Sequence, residues 1–202
     1  MEKQIAIIDY GASNLHSVYK AFKYMGANIE VTKDLKTIEK SDALVFPGVG
    51  AFGSTMNSIR KNKLENIIIQ YLTSTRPFLG ICMGMQVLFE EGEEEPLVKG
   101  LSVFKGQVVK FKKVKKIPHI GWNEVICYSS AVLSMTLQNK FYFVHSYHVV
   151  PENKSIIYGE TEYDGEKFVS VIKKDNLLAV QFHPEKSGEA GLDLIQSFVK
   201  MI

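Results

Sequence analysis

The sequence predicts an α/β fold, with a parallel core of buried strands and an antiparallel extension. Two observations carry this. Up to Phe89, short apolar runs alternate with segments that suit crossover helices, the pattern of a parallel sheet. Beyond the acidic stretch Glu90–Glu95, many short strand-like runs follow one another between turn residues, with no helix-length segment between most of them.

Gln4–Asp9 is an apolar run of the kind expected for a strand buried on both faces. A Gly-Ala-Ser-Asn loop leads into a helix from about Leu15 to Tyr24, closed near Gly26. Asn28–Thr32 and Ala43–Phe46 are the next strands, and the second runs into the glycine-rich Pro47–Gly53. An apolar run ends at Cys82, and Met83–Phe89 is helix-compatible. Glu90–Glu95 reads as a solvated turn and the lysine-rich Lys110–Lys116 as a solvated strand edge. Val103–Phe111, Glu124–Tyr128, Phe141–Val144, His148–Val150, Ser155–Glu160, Phe168–Ile172 and Leu177–Gln181 read as the extension. Leu192–Met201 closes the chain as an amphipathic helix.

At 202 residues, with no low-complexity linker and no internal repeat, residues 1–202 are expected to form one domain. A net charge of +2 argues against nucleic-acid or membrane partners. No apolar run is long enough to span a bilayer, and the N-terminus opens directly on a strand with no signal peptide. Cys82 and Cys127 are too few for a disulfide framework, so a reducing cytoplasmic setting is expected.

Three stretches carry chemistry. In Gly80-Ile81-Cys82-Met83-Gly84, a strand meets a sharp turn and a helix with a thiol at the apex. This is the spacing of a nucleophile elbow, whose strained apex needs tiny residues two positions to either side. A buried structural cysteine is the competing account of the local spacing. In Phe182-His183-Pro184-Glu185, an apolar strand runs into His-Pro-Glu. Side chains at i and i+2 of an extended segment share a side, so Glu185 can orient His183 as base to a Cys82 nucleophile. In Pro47–Gly53, three glycines sit at a strand's carboxyl end, where backbone N–H groups can approach a ligand. Such a loop could supply an oxyanion donor beside the N–H of Met83. A phosphate loop is the weaker reading, because neither Gly-x-Gly-x-x-Gly nor a Lys-Ser/Thr ending is present. His119, His145 and His148 could be imagined as metal ligands, but the strand-like spacing of the last two should send them to opposite faces.

These stretches resemble the class I glutamine amidotransferases. Asp9–Val18, Pro47–Gly53, Pro118–Val125, Phe143–Val149 and Gln181–Leu192 together are similar to the glutaminase subunits of imidazole glycerol phosphate synthases. Ser13 departs from that pattern, which more often has Gly before the Asn. The resemblance implies a flavodoxin-like open sheet with helices on both faces, and hydrolysis of L-glutamine to glutamate and ammonia. Cys82 would be the nucleophile, His183 the proton shuttle and Glu185 its orienter. Met83 with Val49 and Gly50 would form the oxyanion hole. Gln86, His145, Ser146 and Tyr147 would bind glutamine, and Asn14, Trp122 and Lys186 would face the partner. That partner would be a (β/α)8 cyclase subunit, in a heterodimer, using the ammonia to make imidazole glycerol phosphate and AICAR in histidine biosynthesis. No metal and no organic cofactor is implied. A paralogous subunit feeding ammonia to a surface-sugar modifying synthase is the alternative. A cysteine peptidase or other thiol hydrolase on a similar elbow would leave Gln86 without a purpose. A degenerate binding module would not need an intact Cys, His and Glu set.

Overall fold

A computed structural model describes residues 3–11, 14–128 and 136–202; Ser13 lies outside them. The parallel core consists of β1 (Gln4–Ile8), β2 (Asn28–Thr32), β3 (Ala43–Gly48), β4 (Phe78–Cys82) and β13 (Leu177–Val180). Helices α1 (Leu15–Tyr24), α2 (Leu35–Lys40), α3 (Phe52–Lys61), α4 (Glu65–Leu72) and α5 (Met83–Gln86) connect the first four strands or follow them. The rest of the main sheet is β5 (Glu91–Gly92), β6 (Gly106–Lys110), β8 (Ile126–Cys127), β10 (Tyr147–Pro151), β11 (Ile157–Tyr163) and β12 (Glu166–Lys174). A separate antiparallel pair comprises β7 (His119–Glu124) and β9 (Lys140–His145), and α6 (Gly188–Val199) closes the fold.

The main sheet runs β2-β1-β3-β4-β13-β12-β10-β6-β5, with β11 against β12 and β8. β13 is parallel to β4 on one side and antiparallel to β12 on the other, so it is the seam between the two kinds of sheet. Alternation within the strands assigns residues to opposite faces: Ala6 and Ile8 pack with Phe46 and Phe89 on one, Ile5 and Ile7 with Phe22 and Phe198 on the other. Burial on both sides is why these strands read as continuous apolar runs.

Several expected boundaries move. The first strand of the Pro118–Tyr128 region is His119–Glu124, and buried Val125 separates it from the two-residue β8. Gly106, at φ +128 and packed against the Val150 carbonyl, starts β6 later than Val103. The lysine-rich segment is not a strand edge beyond Lys110. Its backbone N–H groups at Lys112 and Lys113 donate to Glu166 Oε2, at 3.0 and 2.7 Å, which holds it as a loop. The last helix begins at Gly188, ahead of the expected Leu192, and the helix after Cys82 is one turn long.

Candidate active site

Two facts of sheet order assemble the site. β3 and β13 flank β4 in parallel, with Gly48 paired to Cys82 and Val180 paired to Ile81. The glycine-rich loop after β3, the thiol ending β4 and the His-Pro-Glu after β13 therefore leave the same sheet edge, the carboxyl edge where open α/β sheets bind ligands.

Cys82 has φ 52 and ψ −104, a left-handed backbone that is strained for a residue with a side chain. Sheet pairing on both flanks and two glycines sustain that strain. A Cβ on Gly84 would overlap the Phe46 carbonyl oxygen, and one on Gly80 would lie 2.7 Å from the Gly84 carbonyl. Neither glycine has a positive φ; space alone demands them. Because α5 is only one turn, little helix dipole acts at the Cys82 position.

His183 is held in extended backbone at φ −106 and ψ 94. Its N–H donates to Tyr142 O at 2.9 Å, and its carbonyl accepts from Ser187 Oγ at 2.6 Å. Ser187 Oγ also accepts from Tyr142 N at 2.9 Å, so this hydroxyl clamps the segment to β9. On the ring, Nδ1 lies 2.8 Å from Glu185 Oε1, with both side chains 1% exposed. Burial alone would pull the imidazole down. Cys82 and Glu185 outweigh it, and the His183 pKa rises to about 10. His183 is thus charged at neutral pH, and its Nε2 has no hydrogen-bond partner among the described residues. An imidazolium with a free N–H on the side of the thiol is suited to protonate a leaving nitrogen.

A cavity of about 510 Å³ opens in front of these groups. Val49, Gly50 and Met83, the expected oxyanion positions, line it together with Cys82. Gly50 has φ +118, a conformation that favours glycine. Gln86, His145, Ser146 and Tyr147 line it as well, although the His145 ring turns away towards His119. Among the expected partner positions, Asn14 and Lys186 border the cavity, and Asn14 Nδ2 donates to Glu185 Oε1 at 3.2 Å. Asn14 therefore touches the Glu185 carboxylate itself. Trp122 is 57% exposed on β7, packed edge-on against Tyr142. A larger cavity of about 600 Å³, beside Arg76, Leu101 and Asn176, lies at the opposite ends of β4 and β13.

The expectation that His145 and His148 point apart fails. The chain breaks strand at Ser146, and both rings come to rest on Phe111, at centroid distances of 5.2 and 4.9 Å. No metal-ligand cluster of three or more groups occurs among the described residues. The acidic turn, with Glu93 and Glu94 exposed, also contributes to the site. Glu94 borders the cavity, as the one carboxylate lining it among the described residues, and its Oε2 accepts from Phe52 N at 2.8 Å. It thereby braces the end of the Pro47–Gly53 loop. Two further residues escaped the sequence reading. Gln181 Nε2 lies 3.5 Å from Cys82 Sγ, and Ser187 clamps His183. The signal for Gln181 was its position, a polar residue ending an apolar strand one step before Phe182-His183; Ser187 had none, because its role depends on β9.

The comparisons with known proteins agree with this geometry. Residues 6–201 match the profile of the family "Glutamine amidotransferase class-I". The chain is 49% identical to the imidazole glycerol phosphate synthase subunit HisH 1 of Methanococcus maripaludis, over 98% of this chain and 100% of that one. It is 48% identical to the HisH subunit of Methanocaldococcus jannaschii, again over 98% and 100%. A PurLQS structure from Thermotoga maritima shares the fold with a TM-score of 0.76, at 17% identity and over 100% of this chain and 99% of that one. A further structure, described as a glutamine amidotransferase, has a TM-score of 0.74 at 15% identity, covering 97% of both chains. With a profile match over nearly its whole length, this chain belongs to the class-I glutamine amidotransferase family.

Proposed function

We propose that this chain is the glutaminase subunit of an imidazole glycerol phosphate synthase, releasing ammonia from L-glutamine for a (β/α)8 cyclase partner. The observation that carries the reading is the convergence of a strained Cys82 with a buried His183–Glu185 pair on one sheet edge. The names of the relatives in two methanogens support the choice of synthase.

The Cys82 sulfur, as thiolate, attacks the side-chain carbonyl carbon of glutamine. The carbonyl electrons move onto oxygen, which backbone N–H groups of Met83 and the Val49–Gly50 stretch stabilise. His183 Nε2 gives its proton to the nitrogen, the C–N bond breaks and ammonia leaves a thioester. Water, deprotonated by the now neutral His183, attacks that thioester; glutamate departs and the sulfur is restored. Glu185 holds Nδ1–H throughout and fixes the tautomer. Glu94, at the cavity wall, is placed to meet the α-ammonium of glutamine, while Gln86 and the Ser146–Tyr147 backbone address its polar groups. The exposed Trp122 and the cavity-rim Lys186 mark the face expected to meet the cyclase.

The test is steady-state glutaminase assay of the chain alone, with a cyclase subunit, and with cyclase plus its ligand. Cys82→Ala should abolish glutamate release, yet its complex should still run the cyclase reaction on ammonium salts. The isolated chain should be slow. Activation by partner and ligand should appear mainly in kcat and reach about 100- to 1000-fold, the value of one oxyanion donor. A Cys82→Ala variant with wild-type hydrolysis would overturn the proposal.

A further inference from the structure

Behind the cavity wall, a line of hydrogen bonds leads from the half-buried edge of β7 to the nucleophile, and its polarity is fixed at every step. Asn123 Nδ2 donates to Glu162 O at 2.8 Å, while Asn123 Oδ1 accepts from Glu124 N at 2.8 Å, so the amide can point only one way. The same Nδ2 faces His119 Nε2 at 3.4 Å. His119 Nδ1 lies 3.1 Å from His145 Nε2, and His145 Nδ1 lies 2.8 Å from Tyr147 O. A carbonyl only accepts, so His145 carries its proton on Nδ1 and offers a lone pair at Nε2. His119 must then donate from Nδ1 and accept at Nε2, where the Asn123 amide supplies the donor. A second proton on either ring would set N–H against N–H. The surroundings favour the same uncharged state: the His119 ring stacks between Phe143 and Tyr163, at 4.9 and 4.0 Å, and His145 packs on Phe111 and Phe168. Burial pushes His119 down to about 4 and His145 to about 3.

The line continues to the sulfur. Tyr147 O also accepts from Gln86 Nε2 at 3.0 Å, and that Nε2 donates in addition to Gln181 Oε1 at 3.0 Å. Gln181 Nε2 then reaches Cys82 Sγ at 3.5 Å. With both Gln86 N–H groups committed, the polar group it has left for the cavity is its carbonyl oxygen.

We propose that His119 and His145 are positioning residues: an uncharged, tautomer-locked pair that fixes the Tyr147 carbonyl and, through it, turns Gln86 to present an acceptor to glutamine while Gln181 is held against Cys82. The proposal rests on the glutaminase reading above and goes beyond it, since neither histidine touches the reacting atoms.

Two substitutions separate hydrogen bonding from packing. Asn in place of His145 keeps a donor near Nδ1 but loses the ring, whereas Phe keeps the ring among its aromatic neighbours and loses the donor. In the chain with a cyclase subunit, His145→Phe should raise KM for glutamine about tenfold and His145→Asn less than about threefold, because Phe strips the Tyr147 carbonyl of one of its two donors and leaves the buried His119 Nδ1–H without an acceptor. Melting temperatures should rank the other way, with the Phe variant the more stable. Wild-type KM in His145→Phe, or equal impairment in both variants, would overturn the proposal. If His145→Phe does not fold, His119→Phe against His119→Asn repeats the comparison at the ring already stacked between two aromatics. A second measurement holds even if the wild type hydrolyses no glutamine, the outcome that would sink the underlying reading instead. Nitrogen NMR of histidine-labelled full chain at neutral pH should show both rings neutral and protonated at Nδ1. A charged or Nε2-protonated His145 would refute the lock.

Discussion

Two buried histidine sites in this molecule differ in almost every respect except burial. His183 is charged, its pKa raised to about 10, and it leaves Nε2 unpartnered beside a strained cysteine. His119 and His145 are uncharged, pushed down to about 4 and about 3, and all four of their ring nitrogens have partners. Burial acts on all three in the same direction. What reverses its effect at His183 is a pair of fixed anionic or ionisable partners, Glu185 and Cys82. A folded protein thus decides a histidine's charge by what it places opposite the ring. At His183 that placement leaves one ring nitrogen, Nε2, without a partner among the described residues.

The sharpest way to break the comparison is to remove the reactive ring. His183→Asn should lower kcat/KM for glutamine by about four orders of magnitude, and Glu185→Gln about two orders less severely, since the carboxylate acts only through His183. Equal small losses in the two variants, measured with partner present, would show that the roles are misassigned.

The backbone offers the next contrast. Gly84→Ala drives a methyl group into the Phe46 carbonyl, which cannot move without disturbing β3 and β4. It should cost about 3 kcal/mol of unfolding free energy. Gly121, on β7, has φ +137 but open space around its α-carbon, so Gly121→Ala should cost only about 1 kcal/mol. Urea titrations of both variants would check the order.

Finally, the two sites should give opposite pH limbs of stability. The folded pKa of His183 is raised, so its contribution is present in full below the unfolded value of about 6.5 and is lost as pH climbs towards about 10. Those of His119 and His145 are depressed. Their contribution is present above about 6.5 and is lost as pH falls towards about 4 and about 3, because the unfolded chain takes up the protons first. Glu185→Gln should therefore flatten the alkaline limb, and His119→Phe the acid limb, in denaturation midpoints taken across pH. A variant that changed the wrong limb would contradict the assignment of charge.

The same division separates what was legible in the sequence from what was not. Gly80, Cys82 and Gly84 announce themselves because the elbow's spacing is local, although only the Gly80 clash lies within the motif and the one at Gly84 is with Phe46 of β3. His183 and Glu185 are legible because they share a side of one extended segment. Glu94, Gln181 and Ser187 act on loops and strands distant in sequence, and their meaning exists only once β3, β4, β9 and β13 are packed. Spacing misled outright at His145 and His148, whose strand-like separation predicted opposite faces, whereas the break at Ser146 brings both rings onto Phe111. The acidic run was incomplete in another way. Glu91 and Glu93 pair with Lys99 and Lys112 at the surface and Glu94 is exposed too, but the run gave no sign that Glu94 also borders the cavity and holds Phe52 N.

The place of β13 bears on how such a chain is made. It is the last strand in sequence order, yet it fills the middle of the sheet, joining β4 to β12. While a ribosome is still extending the chain, the thiol-bearing strand has a bare edge, and the emerging antiparallel half has nothing to lean on. A nascent chain that stalls before Leu177 would carry Cys82 without His183 and Glu185 beside it, and two half-sheets without a keystone. The proposed site would then be completed in a single late event, when β13 slides into its slot and brings His183 and Glu185 with it.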